Sequence, residues 1–243
     1  MVLPVYIEDK EILIHSTQDF IDEGSTGTCY KVDSELGTLN VKLFNDYFYT
    51  YPNSQSISNE EVIKKFQKLA PYTDPILLSK YLVRDSDGTY IGCARDFVEQ
   101  NDNGSLSSTI FHLPTQQAID CFQILSDKIA IFNAENIALS DWALYNAMYG
   151  HIGNGEDTLY LLDDGDYLYP FHGEKVNDLQ LRHLVEDITK DYLSILGFYS
   201  IFPNISSDIH ASYSPIHFLQ GIGDGYSTLS EGAIQYAKRK LKK

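Results

Sequence analysis

Ile137-Ala138-Leu139-Ser140-Asp141-Trp142-Ala143-Leu144-Tyr145-Asn146, followed after a short insertion by Thr158-Leu159-Tyr160-Leu161-Leu162-Asp163-Asp164-Gly165, is the stretch that decides the fold of this chain. Two apolar, strand-like runs each place an acidic or amide side chain at an exposed end. Asp141 and Asn146 are five residues apart, and Asp163 opens a turn-forming Asp-Asp-Gly. Hard divalent cations prefer carboxylate and amide oxygens. Three such groups on two adjacent short strands suit a hydrated Mg²⁺ and a phosphate chain. Taken alone, the same residues also read as an Asx-turn or N-cap aspartate, a turn amide and a solvated acidic turn. The residues upstream decide between the two.

The chain has 243 residues, 43% of them hydrophobic, which suits one large domain or two small lobes around a cleft and a buried core. A formal net charge of −16 repels phosphate backbones, so no nucleic-acid partner is expected. It leaves room for a nucleotide, whose charge one Lys, backbone N–H groups and a metal can meet locally. Cys29, Cys93 and Cys121 are odd in number and widely spaced. They form neither a full disulfide framework nor a CxxC metal site, and they point to a reducing compartment. The start, Met1 to Asp9, does not read as a signal peptide, and no transmembrane segment is seen. A cytoplasmic location is the expectation.

Upstream, Glu11-Ile12-Leu13-Ile14-His15 reads as a lead-in strand. Phe20 to Val32 then reads as strand, Gly-containing turn, strand, with Gly24-Ser25-Thr26-Gly27 at its centre. Glycines let the backbone approach a ligand and present N–H groups to phosphate oxygens, although an ordinary hairpin has the same look. Leu39-Asn40-Val41-Lys42-Leu43-Phe44 is a strand with a Lys in an apolar run. That Lys either snorkels from an edge or faces a polar cleft. Ser58 to Leu69 reads as a helix N-capped by Ser58 or Asn59, with Val62, Phe66 and Leu69 on one face and Glu60 and Glu61 in its first turn.

Gly24 to Tyr30 together with Val41-Lys42 resemble the Gly-rich loop and third-strand lysine of the protein kinase-like superfamily. Ile-x-Leu-x-Asp-x-x-x-x-Asn at residues 137–146 resembles its catalytic loop, and Asp163-Asp164-Gly165 its Asp-Phe-Gly motif. The ordered set spans residues 20–165. Asp22 stands where the first glycine is expected, and Leu139 and Ser140 where His and Arg are common. Asp164 replaces the Phe, and Cys29 the Val beneath the adenine. These departures point to an atypical bacterial-type kinase or a pseudokinase domain.

The resemblance implies an α+β, bilobal kinase-like fold. A small antiparallel-sheet N-lobe with one helix (residues 1–98) precedes a mostly helical, shortened C-lobe (residues 99–243). Asp85-Ser86-Asp87-Gly88 joins strands read over Pro75–Arg84 and Thr89–Val98, and residues 100–106 have the composition of a linker. ATP and Mg²⁺ are the implied cofactors. Gly24, Ser25, Thr26, Gly27 and Cys29 would surround the nucleotide, and backbone near Asp96 and Val98 would read adenine. Lys42 would hold the phosphates and Glu61 would orient it, with Glu60 open as the alternative. Asn146 and Asp163 would bind the metal, and Asp141 would position an acceptor hydroxyl.

Residues 115–133 read as a core helix with Ile119, Phe122, Leu125, Ile129 and Phe132 on one stripe. Residues 176–196 read as the central helix of the second lobe, and Ser227–Lys243 as a last helix with a basic end. Two function classes follow. One is an ATP-dependent phosphotransferase acting on a protein or small-molecule hydroxyl, with nucleotidyl transfer as a variant. The other is a pseudokinase-like binding or scaffold module, favoured by Asp22, Leu139-Ser140 and Asp164.

Overall fold

A computed structural model describes residues 1–24, 27–45, 60–101, 105–135, 137–139, 142–162 and 173–242, with backbone alone at 61, 62 and 173–175. The first half is a seven-stranded antiparallel sheet. Its strands are β1 (Val2–Ile7), β2 (Lys10–His15), β3 (Phe20–Gly24), β4 (Gly27–Ser34), β5 (Gly37–Phe44), β6 (Tyr81–Arg84) and β7 (Tyr90–Asp96). The spatial order is β2-β1-β6-β7-β5-β4-β3.

Strand alternation gives this sheet two apolar faces. On one, Val32, Leu39, Val41, Val83 and Ala94 pack against Val5, Ile7, Ile12 and Ile14 of the β1–β2 hairpin. On the other, Phe44 and Cys93 join a core with Ile63 and Phe66 of α1 (Glu60–Thr73), and Leu82 packs against it. Ile63, Phe66 and Ala70 recur at helical spacing, so α1 docks through one stripe.

The second half is mostly helical. A three-stranded sheet of order β10-β9-β8 is built from β8 (Glu99–Gln100), β9 (Ala147–His151) and β10 (Thr158–Leu161). The helices are α2 (Leu106–His112), α3 (Thr115–Ala134), α4 (Gly173–Ile195), α5 (Phe202–Ala211), α6 (Pro215–Gly223) and α7 (Leu229–Lys240). Ser105 caps α2, Ser214 caps α6 and Thr228 caps α7, each accepting a backbone N–H within the first turn. Ile119, Phe122, Leu125, Ile129 and Phe132 of α3 are all buried, against Leu181, Leu184, Val185 and Ile188 of α4.

Two crossings tie the halves together. Phe97-Val98 carries β7 into β8, where Glu99 pairs with His151. Before β6, Leu77 N donates to Leu161 O at 2.8 Å and Leu161 N to Pro75 O at 3.1 Å. Ile76 and Leu78 are buried there in the core that runs on into the helical half.

The helix read over Ser58–Leu69 runs on to Thr73, and five further readings differ from this fold. The strand read over Pro75–Arg84 is a strand only from Tyr81, because Pro75 to Leu77 pairs with β10 instead. The lead-in strand has a partner, β1, with Val5 and Ile7 on the core side. Leu106, read as linker, begins α2, since Ser105 supplies a cap and Ile110 and Phe111 an apolar face. Tyr145-Asn146 belongs to a 3₁₀ turn and the strand starts at Ala147. The last helix begins at Leu229.

Candidate functional site

Lys42 lies inside the sheet rather than on its edge. Its register partners are Cys29 on β4 and Cys93 on β7. Directly opposed residues in an antiparallel ladder share a face, so Lys42 projects on the Cys93 side, toward α1 and the helical half. Among the sequence-based alternatives for Lys42, the position excludes the snorkelling edge lysine. Gly27 is buried at the entry to β4, and a Cβ there would meet Leu43 O at 2.2 Å. Close packing against β5 is therefore one sufficient reason for this glycine. Gly24 is exposed with ordinary space around it. Ser25 and Thr26 lie outside the described residues.

Glu60 is committed elsewhere. Its carboxylate receives Arg84 Nη2 at 2.6 Å and Lys64 Nζ at 2.9 Å. Lys64 above all, with Arg84 and against partial burial, holds its pKa below the usual carboxylate range. Of the two glutamates considered for orienting Lys42, Glu60 is thus taken by β6 and its own helix. The side chain of Glu61 lies outside the described residues.

The loop that carries Asp141 is anchored from α4. Asn177 is fully buried, and its Oδ1 accepts Leu139 N at 2.7 Å. Its Nδ2 donates to Ile137 O at 2.9 Å and Asn133 Oδ1 at 2.7 Å. Gln180, one turn along, accepts Trp142 N through Oε1 at 3.3 Å. Backbone on both sides of residues 140 and 141 is thereby held by one helix. Asp141 itself lies outside the described residues. Sequence reading missed Asn177 and Gln180, yet Asn177 carried a signal: it falls on the apolar stripe of Leu181, Leu184 and Ile188, where an amide needs partners.

Asn146 closes the 3₁₀ turn Leu144–Asn146, with its N–H donating to Ala143 O at 2.9 Å. Leu162 N donates to Asn146 O at 2.7 Å. That bond brings residue 162 alongside Asn146. Asp163 lies outside the described residues. Among the described residues, no group of three or more His, Cys, Asp or Glu side chains could hold a metal ion.

At the linker, Asp96 pairs with Lys80 at 2.6 Å and Phe97 N donates to Thr38 O at 3.0 Å. Val98 is buried against Leu77 and Tyr160. Burial, with the charges of Asp74, Asp96 and Asp157, pushes the Tyr160 phenol up to about 12. Next to the Cys29–Lys42–Cys93 row, toward the linker, runs a polar row: Lys31 opposite Asn40 opposite Arg95. Lys31 reaches Glu99 at 2.6 Å and sits 4.4 Å above the Phe97 ring. Among the described residues, Asn40 Oδ1 is the buried side-chain oxygen with no hydrogen-bond partner.

An antiparallel sheet with one helix followed by a mostly helical half is the bilobal α+β arrangement that the protein kinase-like resemblance implied. No protein-family model and no curated protein sequence matches the chain. Among solved structures it is similar to a double mutant of the PknI kinase domain from Mycobacterium tuberculosis, at 11% identity and a TM-score of 0.48, covering 90% of this chain and 93% of that one. A single mutant of the same domain gives 12% identity and a TM-score of 0.45, covering 91% and 93%.

Proposed function

We propose that this protein is an atypical ATP-dependent phosphotransferase. The observation that supports it most is the pairing of Leu162 N with Asn146 O, which sets the residue before Asp163 beside Asn146 on the helical half. Lys42 projects from the sheet on the side facing that half. Asn146 and Asp163 are oxygen donors of the kind that hold Mg²⁺, and when bound the metal neutralises charge on the phosphate chain. Lys42 contributes a fixed positive charge to the α- and β-phosphates, and Glu61 orients it. Gly24 to Gly27 would offer backbone N–H groups to the phosphates. Cys29 lines the base side, and the Asp96–Val98 backbone borders it.

Asp141 orients an acceptor hydroxyl. The oxygen of that hydroxyl forms a bond to Pγ as the bond from Pγ to the β,γ-bridging oxygen breaks. ADP leaves with the bridging oxygen, and the hydroxyl proton passes to Asp141 and then to solvent. The formal net charge of −16 makes nucleic acid an unfitting acceptor.

One observation favours the binding-module reading instead. The row nearest the linker is Lys31–Asn40–Arg95, so a purine ring entering there finds a polar roof where an apolar one would stack. Turnover with labelled ATP separates the readings. Label passing from the γ position to an acceptor supports phosphotransfer, and label from the α position identifies nucleotidyl transfer. Neither label moving, while ATP still binds, supports the module.

A further inference from the structure

The helical half carries a corner almost free of charge. Charged residues make up 21% of the chain, yet Asp208 is the single Asp, Glu, Lys or Arg between Tyr192 and Gly223. That stretch spans the end of α4, all of α5 and all of α6. Ile195, Leu196 and Tyr199 stand out where α4 turns into α5, with Tyr199 63% exposed. Tyr213, between α5 and α6, is 93% exposed. Single apolar side chains are scattered over any protein surface, but a group of them on an uncharged stretch marks a contact face.

The end of α7 brings cations to the same corner. Lys240 pairs with Asp208 at 2.5 Å, which sets this end beside α5 and neutralises the one acid of the stretch. Lys238, Arg239 and Lys242 are exposed, and among the described residues they make no ion pair. Leu241 stands among them, 52% exposed. Phe218 of α6 meets Tyr236 of α7 with ring centroids 5.8 Å apart, while Gly232 lies against Ile222 O. The two helices are thus antiparallel, and Tyr213, just before α6, lies toward the basic end of α7. Arg182 of α4 fixes that turn: Nη1 donates to Ile209 O at 2.8 Å and Ser212 O at 3.1 Å, and Nη2 to Tyr213 O at 3.0 Å. Tyr213 is therefore held out into water on a fixed backbone.

We propose that this corner is a peripheral docking face for an anionic phospholipid bilayer. Charge complementarity decides the partner. A protein of net charge −16 is repelled by an anionic surface, so it approaches through the face where cations are unpaired and acids are few. At physiological ionic strength the Debye length is about 8 Å, which screens the acids elsewhere on the protein. Lys238, Arg239 and Lys242 each contribute about a fivefold gain in affinity for the headgroup phosphates. Tyr199, Tyr213 and Leu241 enter the headgroup layer, where a tyrosine ring leaves water while its hydroxyl stays wet. These side chains project at separate points instead of lining a groove, which suits a deformable lipid surface better than a folded partner. Ile195 lies eighteen residues along α4 from Asn177, roughly 27 Å at the helical rise. Docking here is independent of what the Lys42 cleft does.

The test sediments the full chain with vesicles of phosphatidylcholine alone and of phosphatidylcholine mixed equally with phosphatidylglycerol. The chain is expected to co-sediment with the mixed vesicles and to stay in solution with the neutral ones. Raising the salt to 1 M, where the Debye length is about 3 Å, is expected to release it. Lys238→Gln, Arg239→Gln and Lys242→Gln combined are expected to lower the affinity about a hundredfold, the product of three cations. Tyr213→Ser changes a side chain almost wholly in water, so its Tm without vesicles is expected to match wild type while its affinity for mixed vesicles falls several-fold. Equal sedimentation with both vesicle types, none with either, or undiminished binding by the triple variant overturns the proposal. So does a dimer in light scattering without vesicles that Tyr213→Ser returns to monomer, which would give this face to a second copy of the chain.

Discussion

Asn177 Oδ1 accepts the backbone N–H of Leu139 at 2.7 Å, two residues before Asp141. One buried amide on a long helix thus fixes the backbone that presents the proposed catalytic carboxylate. The helical core holds the position of this loop, and the loop holds its chemistry.

Replacing Asn177 with Leu keeps the branched shape at a larger volume and removes every hydrogen-bonding group. Leu139 N and Ile137 O are then left buried and unpaired, and Asn133 Oδ1 loses its donor, at a cost on the order of 3 kcal/mol. Urea unfolding followed by circular dichroism is expected to show a lower midpoint with an unchanged slope. A midpoint equal to wild type would show that the loop is held by other means.

Asn40 makes the opposite prediction. Its buried Oδ1 has no partner, so an apolar side chain of β propensity at the same place relieves a desolvation penalty. Asn40→Val is expected to raise stability by about 1 kcal/mol. A loss of stability in the same unfolding measurement would mean that the amide is satisfied in solution.

Glu186 sets an acid limit on stability. Burial opposes its ionisation, but Lys190, Ser206 and His210 outweigh that and hold its pKa below the usual carboxylate range. A lowered folded-state pKa means that the unfolded chain binds the proton more tightly, so stability rises with pH in that range. The contribution is fully present above the unfolded-state value of about 4.3 and is lost as pH falls through the folded-state value. Glu186→Gln is expected to flatten the acid limb of a stability–pH profile below that value. An unchanged limb would remove Glu186 from the account.

The Lys31–Glu99 pair joins β4 of the sheet half to β8 of the helical half, with side chains 40% and 46% exposed. Exposed pairs are worth little, and a double-mutant cycle with Lys31→Ala and Glu99→Ala is expected to give a coupling below about 1 kcal/mol. Added salt should shrink it further. A larger, salt-insensitive coupling would mark this pair as a structural lock between the lobes.

The parts of the fold that were legible in the sequence are those where periodicity and turn chemistry agree. Asp85-Ser86-Asp87-Gly88 forms its hairpin, with Asp85 Oδ1 accepting Asp87 N and Thr89 N and Gly88 at φ +79°. The stripes of α3 and α4 bury the residues their spacing selects. What was not legible depends on distant partners. Pro75 to Leu78 has strand composition, but its partner is β10, more than eighty residues away, which pulls it out of the first sheet. α2 is too short to show a period, and its helix rests on the Ser105 cap and on burial against α4 and α7. For the site, the placement of Lys42 on the inner face follows from pairing register, which alternation alone leaves two-fold ambiguous. The pairing of Glu60 with Arg84 joins residues that no local pattern connects.

The central claim is that Lys42, Asn146 and Asp163 hold Mg-ATP between the two lobes. The most direct measurement is thermal denaturation with ATP alone and with ATP plus Mg²⁺, in wild type and in Asp163→Asn. Millimolar ATP is predicted to raise the Tm of wild type, Mg²⁺ to raise it further, and Asp163→Asn to lose the Mg²⁺ increment while keeping the wild-type Tm without ligand. A wild-type Tm that neither ATP nor Mg-ATP moves would contradict it.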